Sequence, residues 1–354
     1  MAKPPLARED LDHVLAHTRE LWTEIRGQSV FITGGTGFFG MWLLESFCHA
    51  NDQLKLGARA AVLTRDPAAF AAKAPHLAAR SDLNFIAGDI RTFAFPSGRF
   101  PFVIHAATEA SAKLNEESPS EMLDSIIGGT RHLLDFAAQA GTQKLLLTSS
   151  GAVYGPQPSD LTHVPETYNG APDPLAAASA YGTGKRVAEH MCAVHARRFG
   201  YEVKIARCFA FVGPHLPLDA HFAIGNFLGD ALNGRPIKVG GDGSPFRSYL
   251  YAADLAIWLW ALLFRGTSQQ ALNVGSDQSL TIREVAHAVS KVAGGNVPVH
   301  IAREPVSGAP AARYVPATDR IRSALTLVET ISFEESIRRT LAWHRAASTS
   351  RPAA

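Results

Sequence analysis

Cysteine is scarce in this chain, net charge is small, and no apolar run is long enough to span a bilayer. Its 354 residues include only three cysteines, Cys48, Cys192 and Cys208, with no CxxC pair and no histidine spacing of the kind a zinc site uses. A disulfide framework is therefore not expected, no metal is assigned, and a reducing, cytoplasmic compartment fits best. The formal net charge is +2 and no dense Lys/Arg run occurs, which argues against a surface that neutralises nucleic-acid phosphates. The most apolar stretch, Leu255 to Phe264, is roughly half of the ~20 residues a membrane helix needs. Charges at Lys3, Arg8, Glu9, Asp10 and Asp12 interrupt the first residues, so no secretion signal is expected. Neither a nucleic-acid nor a membrane partner is expected.

Against these absences stands a composition with 46% hydrophobic and 19% charged residues, enough to bury a full core. Residues from Leu6 to Ile25 carry Leu11, Val14, Leu15, Leu21, Trp22 and Ile25 close to helical spacing, which predicts an amphipathic leader helix packed on the main body or on a second subunit. From Ser29 onward, short β-type runs at Val30–Ile32, Ala60–Leu63, Leu83–Ile86, Phe102–Ile104, Leu145–Leu147 and Val203–Ile205 alternate with helix-length segments. That alternation predicts an α/β fold with a doubly wound parallel sheet. The segment from Gly155 to Pro174, rich in Pro, Asp, Asn and Gly, reads as a long surface loop of the sort that covers a substrate. Beyond Arg207, helices are expected near Ala220–Leu232, Ala253–Phe264, Ile282–Val292 and Phe333–His344. The organisation expected is a helical extension over 1–27, the sheet domain over 28–207, a smaller lobe over 208–347 with segments returning to the sheet, and a tail over 348–354.

Val30-Phe-Ile-Thr-Gly-Gly-Thr-Gly-Phe-Phe-Gly40 places a strand directly before glycines and an apolar helix directly after them. In that setting Gly34 permits a tight turn, Gly37 lets backbone amides approach a pyrophosphate, and Gly40 lets helix and strand pack closely. The helix N-terminus favours the phosphate charge. This predicts a Rossmann-type dinucleotide site, in which Thr36, Phe38 and Phe39 also face the cofactor.

The glycine spacing, Gly-x-x-Gly-x-x-Gly, resembles that of the short-chain dehydrogenase/reductase superfamily. Gly88-Asp89-Ile90 is similar to that family's adenine-contacting segment, and His105-Ala106-Ala107 to its cofactor-lining segment. At the end of the second strand, where NAD-dependent relatives carry Asp, stands Thr64, followed by Arg65, whose guanidinium can pair with a 2′-phosphate. This tilts the NAD(P) expectation toward NADP(H); the alternative is that Asp66 serves as the acidic residue and Arg65 faces adenine or solvent.

Tyr181-Gly-Thr-Gly-Lys185 opens an apolar-periodic helix. Residues four apart share a face, so the ammonium can favour the phenolate and equip Tyr181 as a general acid/base. Some thirty residues upstream, Thr148-Ser149-Ser150-Gly-Ala-Val-Tyr154-Gly155 resembles the Ser-Ser-x-x-Val-Tyr-Gly segment of extended nucleotide-sugar enzymes. The resemblance implies that Ser150 offers its hydroxyl to the reacting sugar oxygen, with Ser149 as a further substrate contact or a turn residue, and that Lys185 holds the nicotinamide ribose. A competing assignment of Tyr154 as the acid/base lacks a lysine four residues on, where Pro158 stands. Gly241-Asp-Gly-Ser-Pro-Phe-Arg247, followed by Tyr251-Ala-Ala-Asp254, is similar to a segment of the same family. That similarity makes Arg247 the candidate for the substrate diphosphate, with Asn226 and Arg313 as further substrate candidates. A homodimer is common in the family.

Two positions depart from the family pattern: Ile126 stands where Asn is usual in the long central helix, and Ala210 where Asn follows Arg207. The 4,6-dehydratases resembled here follow the hydroxyl residue with Asp-Glu, and the related decarboxylases also carry an acid there. This chain has Gly151 and Ala152, which disfavours elimination. The expected function is a nucleotide-sugar epimerase acting at C4 through a 4-keto sugar. The alternatives are an NADPH-dependent 4-keto-sugar reductase, then a dehydratase or decarboxylase, then a non-catalytic dinucleotide sensor.

Overall fold

The six apolar runs become β1 (Ser29–Thr33), β2 (Arg59–Thr64), β3 (Leu83–Ala87), β4 (Phe102–His105), β5 (Lys144–Ser150) and β6 (Glu202–Cys208) of one parallel sheet. The computed structural model describes residues 2–107, 112–220, 222–306, 308 and 310–349. A seventh strand, Gln270–Val274, pairs with β6 at the edge, giving the order Gln270–Val274, β6, β5, β4, β1, β2, β3. This strand was absent from the sequence reading. Its five residues follow a long apolar helix and offer too short a run to separate from it.

Strand alternation sends neighbouring side chains into opposite layers. Val30 and Ile32 of β1 enter one core with Leu43 and Phe47 of α2 (Phe38–Leu54) and with Leu259 and Leu263 of the Ala252–Arg265 helix. Phe31 enters the other, with Leu133 and Phe136 of the Pro119–Gln139 helix and Ala188 and Cys192 of the Ala180–Phe199 helix. A third core joins Val212, Phe227, Leu228, Val285, Val289, Ile337 and Leu341, from the segments after β6. The Ala252–Arg265 helix is buried along nearly its whole length, and among the described residues no helix is long and apolar enough to cross a membrane.

One expectation is corrected in the leader. It forms α1 (Arg8–Thr18) and a separate 3-10 turn, Leu21–Ile25, where one continuous helix was expected. The Thr18 hydroxyl donates back to the Val14 carbonyl at 2.6 Å and accepts from Trp22 Nε1 at 2.9 Å. The turn lets Trp22 reach full burial, its ring 4.6 Å from that of Trp260. The leader is tied to the body of the same chain, where buried Asp10 accepts from Tyr251 Oη at 2.7 Å and Arg339 Nη1 at 2.6 Å.

The parallel order reverses between β1 and β4, so a crevice opens outside the carboxyl ends of these strands, where doubly wound sheets bind their ligands.

Candidate active site

At the exit of β1, Gly34 adopts φ +72°, and a Cβ there would stand 2.4 Å from the Ala106 carbonyl. A Cβ on Gly40 would stand 2.3 Å from the Gly34 oxygen, so both glycines are required by the chain's own packing. Gly37 differs: its nearest neighbour would be the Gly34 oxygen at 3.4 Å, an ordinary contact. Its bareness leaves open space in front of the first turn of α2, which has no side-chain cap and no acidic residue. Such a turn presents unsatisfied N–H groups and the positive end of the helix dipole, and it fits a dinucleotide pyrophosphate.

The neighbouring loops are pinned. Buried His105 bonds Thr33 Oγ1 at 2.9 Å and Thr130 Oγ1 at 3.2 Å, and Ala107 N donates to Thr33 Oγ1 at 3.1 Å, which fixes Ala106 and Ala107 beside Gly34. Lys73 Nζ donates to the Thr36 carbonyl at 2.7 Å, clasping the glycine turn from the end of α3 (Pro67–Lys73). Phe38 and Phe39 are partly buried, with Phe39 edge-on to Phe211 at 5.1 Å. Thr64 is buried at the end of β2 and Arg65 is exposed. Asp66 Oδ1 accepts from Ala69 N at 2.8 Å and so caps α3. Asp89 is clasped by Arg91 at 2.8 and 3.0 Å, which holds its carboxyl below the usual range, with Arg65 adding to the effect. Ile90 packs at Gly129 of the central helix.

Ser150, Tyr181 and Lys185 converge where β5 ends. Gly182 lets the Tyr181 helix approach, since a Cβ there would meet the Ala152 carbonyl at 2.5 Å. Asn115 Oδ1 accepts from Tyr181 N at 2.9 Å and anchors the start of that helix. Ile126 packs at Gly184. Lys185 Nζ donates to the Thr148 carbonyl at 2.7 Å and lies 5.9 Å from the centroid of the Tyr181 ring. Burial lowers the Lys185 ammonium to about 8. The Tyr181 phenol is raised to about 12 by burial, opposed by its hydrogen bond with Ser150. In the chain alone, desolvation by burial is thus the largest influence on the Tyr181 phenol.

Behind the strand lies a polar network absent from the sequence reading. Ser149 Oγ donates to Glu189 Oε1 at 2.5 Å, and Arg207 grips the same carboxylate. The Ser149 proton is thus given to the helix, in keeping with a structural hydrogen-bonding role for this residue. Tyr154, 2% exposed, donates to Asn273 Oδ1 at 2.8 Å and accepts from Arg207 Nη1 at 3.0 Å, so it serves this network. In the second lobe, the Phe246–Arg247 strand pairs with both Leu280–Thr281 and Arg313–Tyr314. Arg247 Nη1 donates to the Phe246 carbonyl at 2.8 Å, and Arg313 lies 4.0 Å over the Phe246 ring. Asn226 is exposed on the Ala223–Leu232 helix. The short partner strand brings in Tyr314, whose hydroxyl is 3.4 Å from Ser150 Oγ and within electrostatic reach of Arg247. Nothing in the spacing of the sequence marked it, because more than 160 residues separate the two hydroxyls.

A doubly wound sheet with a glycine cradle at its switch point and a Ser, Tyr and Lys at the end of β5 defines an enzyme of the extended short-chain dehydrogenase/reductase type. More narrowly, the chain belongs to the NAD dependent epimerase/dehydratase family, whose sequence profile matches residues 30–275. UDP-glucuronic acid decarboxylase 5 of Arabidopsis thaliana is 31% identical over 198 residues, 56% of this chain and 57% of the relative. UDP-glucuronic acid decarboxylase 1 of Xenopus tropicalis is 29% identical over 266 residues, 75% of this chain and 60% of the relative. The matches thus span less than two thirds of the length of these relatives. Among solved structures, UDP-glucose 4-epimerase of Thermus thermophilus in complex with NAD is 27% identical with a TM-score of 0.72, covering 90% of this chain and 100% of that one. DesIV, a dTDP-glucose 4,6-dehydratase of Streptomyces venezuelae with NAD bound, shares the fold at 23% identity and a TM-score of 0.76, covering 91% and 98%.

Proposed function

We propose that the chain is a nucleotide-sugar epimerase that oxidises a ring hydroxyl, at C4, and returns the hydride to the other face of the 4-keto sugar. The observation that carries this reading is the convergence of Ser150, Tyr181 and Lys185 at the end of β5, with glycine and alanine where elimination would need carboxylates. Tyr181 exchanges the proton of the reacting hydroxyl, Ser150 hydrogen-bonds the same oxygen, and Lys185 holds the ribose. The nicotinamide, when bound, takes and returns the hydride. Arg247 and Arg313 are the proposed contacts for the diphosphate, and the Gly155–Pro174 segment the cover over the sugar.

NADP(H) is the proposed cofactor form. Asp66 is engaged as a helix cap and Asp89 is held by Arg91, so neither carboxylate is placed to serve as the acidic residue of an NAD site, while Thr64 and the exposed Arg65 stand at the end of β2 where a 2′-phosphate would be read. A homodimer in the cytoplasm completes the reading, supported for the compartment by three free, buried thiols.

A second reading, a UDP-glucuronate decarboxylase, is favoured by the curated relatives. One experiment separates the two. Purified protein is incubated with UDP-sugars and UDP-glucuronate without added cofactor, and products are followed by NMR and carbon dioxide release. Epimer formation supports the first reading, and carbon dioxide with a pentose product replaces it by the second.

A further inference from the structure

We propose that Tyr314 is a positioning residue of the active site, which fixes the direction of the Ser150 proton from the second lobe. The proposal deepens the reading above and rests on it. A serine hydroxyl has one proton and two acceptor positions. Ala152 N donates to Ser150 Oγ at 3.1 Å, and the Tyr314 hydroxyl stands on the same oxygen at 3.4 Å. When Tyr314 donates, both acceptor positions are filled, and the only proton of Ser150 is left for Tyr181 or the sugar oxygen. Burial pushes the Tyr314 phenol well above the ordinary tyrosine range, so it stays protonated and able to donate.

The packing around Tyr314 is close. The Tyr314 ring lies 4.7 Å from that of Phe209. A Cβ at position 151 would stand 2.7 Å from the Phe209 ring and 2.8 Å from the Tyr314 hydroxyl. Glycine at 151 is thus what admits Tyr314 to Ser150. The absence of a side chain there and the presence of the third hydroxyl are two sides of one arrangement.

A double-mutant cycle tests this. Tyr314→Phe is expected to lower kcat about tenfold with KM little changed, and to lower it less than about twofold when Ser150 is already alanine. Equal losses in both backgrounds, or no loss in the first, would overturn the proposal. A readout independent of the sugar separates it from the function above. With saturating NADP or NAD, the phenolate absorbance of Tyr181, taken as the difference from Tyr181→Phe, is titrated with and without the Tyr314 hydroxyl. An upward shift of about one pH unit in Tyr314→Phe supports the proposal even if no nucleotide sugar is turned over, and an unchanged titration refutes it even if one is.

Discussion

Arg207 holds Glu189 at two points, Nη2 to Oε2 at 2.7 Å and Nε to Oε1 at 3.0 Å, directly behind the strand that carries Ser150. The same carboxylate accepts from Ser149, and the same guanidinium donates to Tyr154. Removing one member of a buried pair strands the other's charge. Glu189→Ala is expected to cost about 3 kcal/mol, and Glu189→Gln, which keeps one acceptor oxygen but still leaves the guanidinium charge unmatched, somewhat less. Urea unfolding of the two variants checks both the sign and the order.

Tyr181→Phe removes the acid/base hydroxyl and leaves the ring in place. Turnover is expected to fall by at least about 100-fold, while dinucleotide affinity changes little. Equilibrium binding and steady-state rates on the same preparation make the comparison, and comparable turnover would remove Tyr181 from the mechanism.

The glycine turn separates two kinds of effect. Gly34→Ala faces both a positive φ and a backbone clash, so it is expected to destabilise the fold as well as weaken dinucleotide binding. Gly37→Ala has room within the chain and is expected to weaken binding with little change in Tm. Thermal melts with and without dinucleotide distinguish the two.

Acid is expected to destabilise the protein through buried histidines. Burial, with Lys185 adding, lowers His105 to about 3, and burial, with Lys3 and His215 adding, lowers His344 to about 4. Both stay neutral in the folded chain while the unfolded chain takes up protons near pH ~6.5. The unfolded state therefore binds more protons in this window, and stability present above it is lost as pH falls toward the folded values. Tm measured from neutral to mildly acid pH should decline, and His105→Gln should shallow the decline.

Local pattern was enough to read the glycine cradle, the first six strands and the Tyr181 helix, because each is a contiguous run with its own period. The residues that complete the site were hidden for the opposite reason. Asn273 reaches Tyr154 across 119 positions and Tyr314 reaches Ser150 across 164, distances over which no spacing rule operates. For Ser149 the sequence leaves two roles open, and only strand alternation and the distant Glu189 show where its proton goes. The high phenol of Tyr181 was equally invisible, since a lysine four residues on can be seen in the sequence and desolvation cannot.

The central claim is reversible oxidation of a ring hydroxyl by the Ser150, Tyr181 and Lys185 site, and a nucleotide sugar deuterated at C4 tests it most directly. With its dinucleotide bound and no external cofactor, the protein should give a transient reduced-nicotinamide absorbance and an epimer that retains deuterium at C4. An epimer that has exchanged its deuterium for solvent hydrogen, or turnover with no reduced nicotinamide at any time, would contradict it.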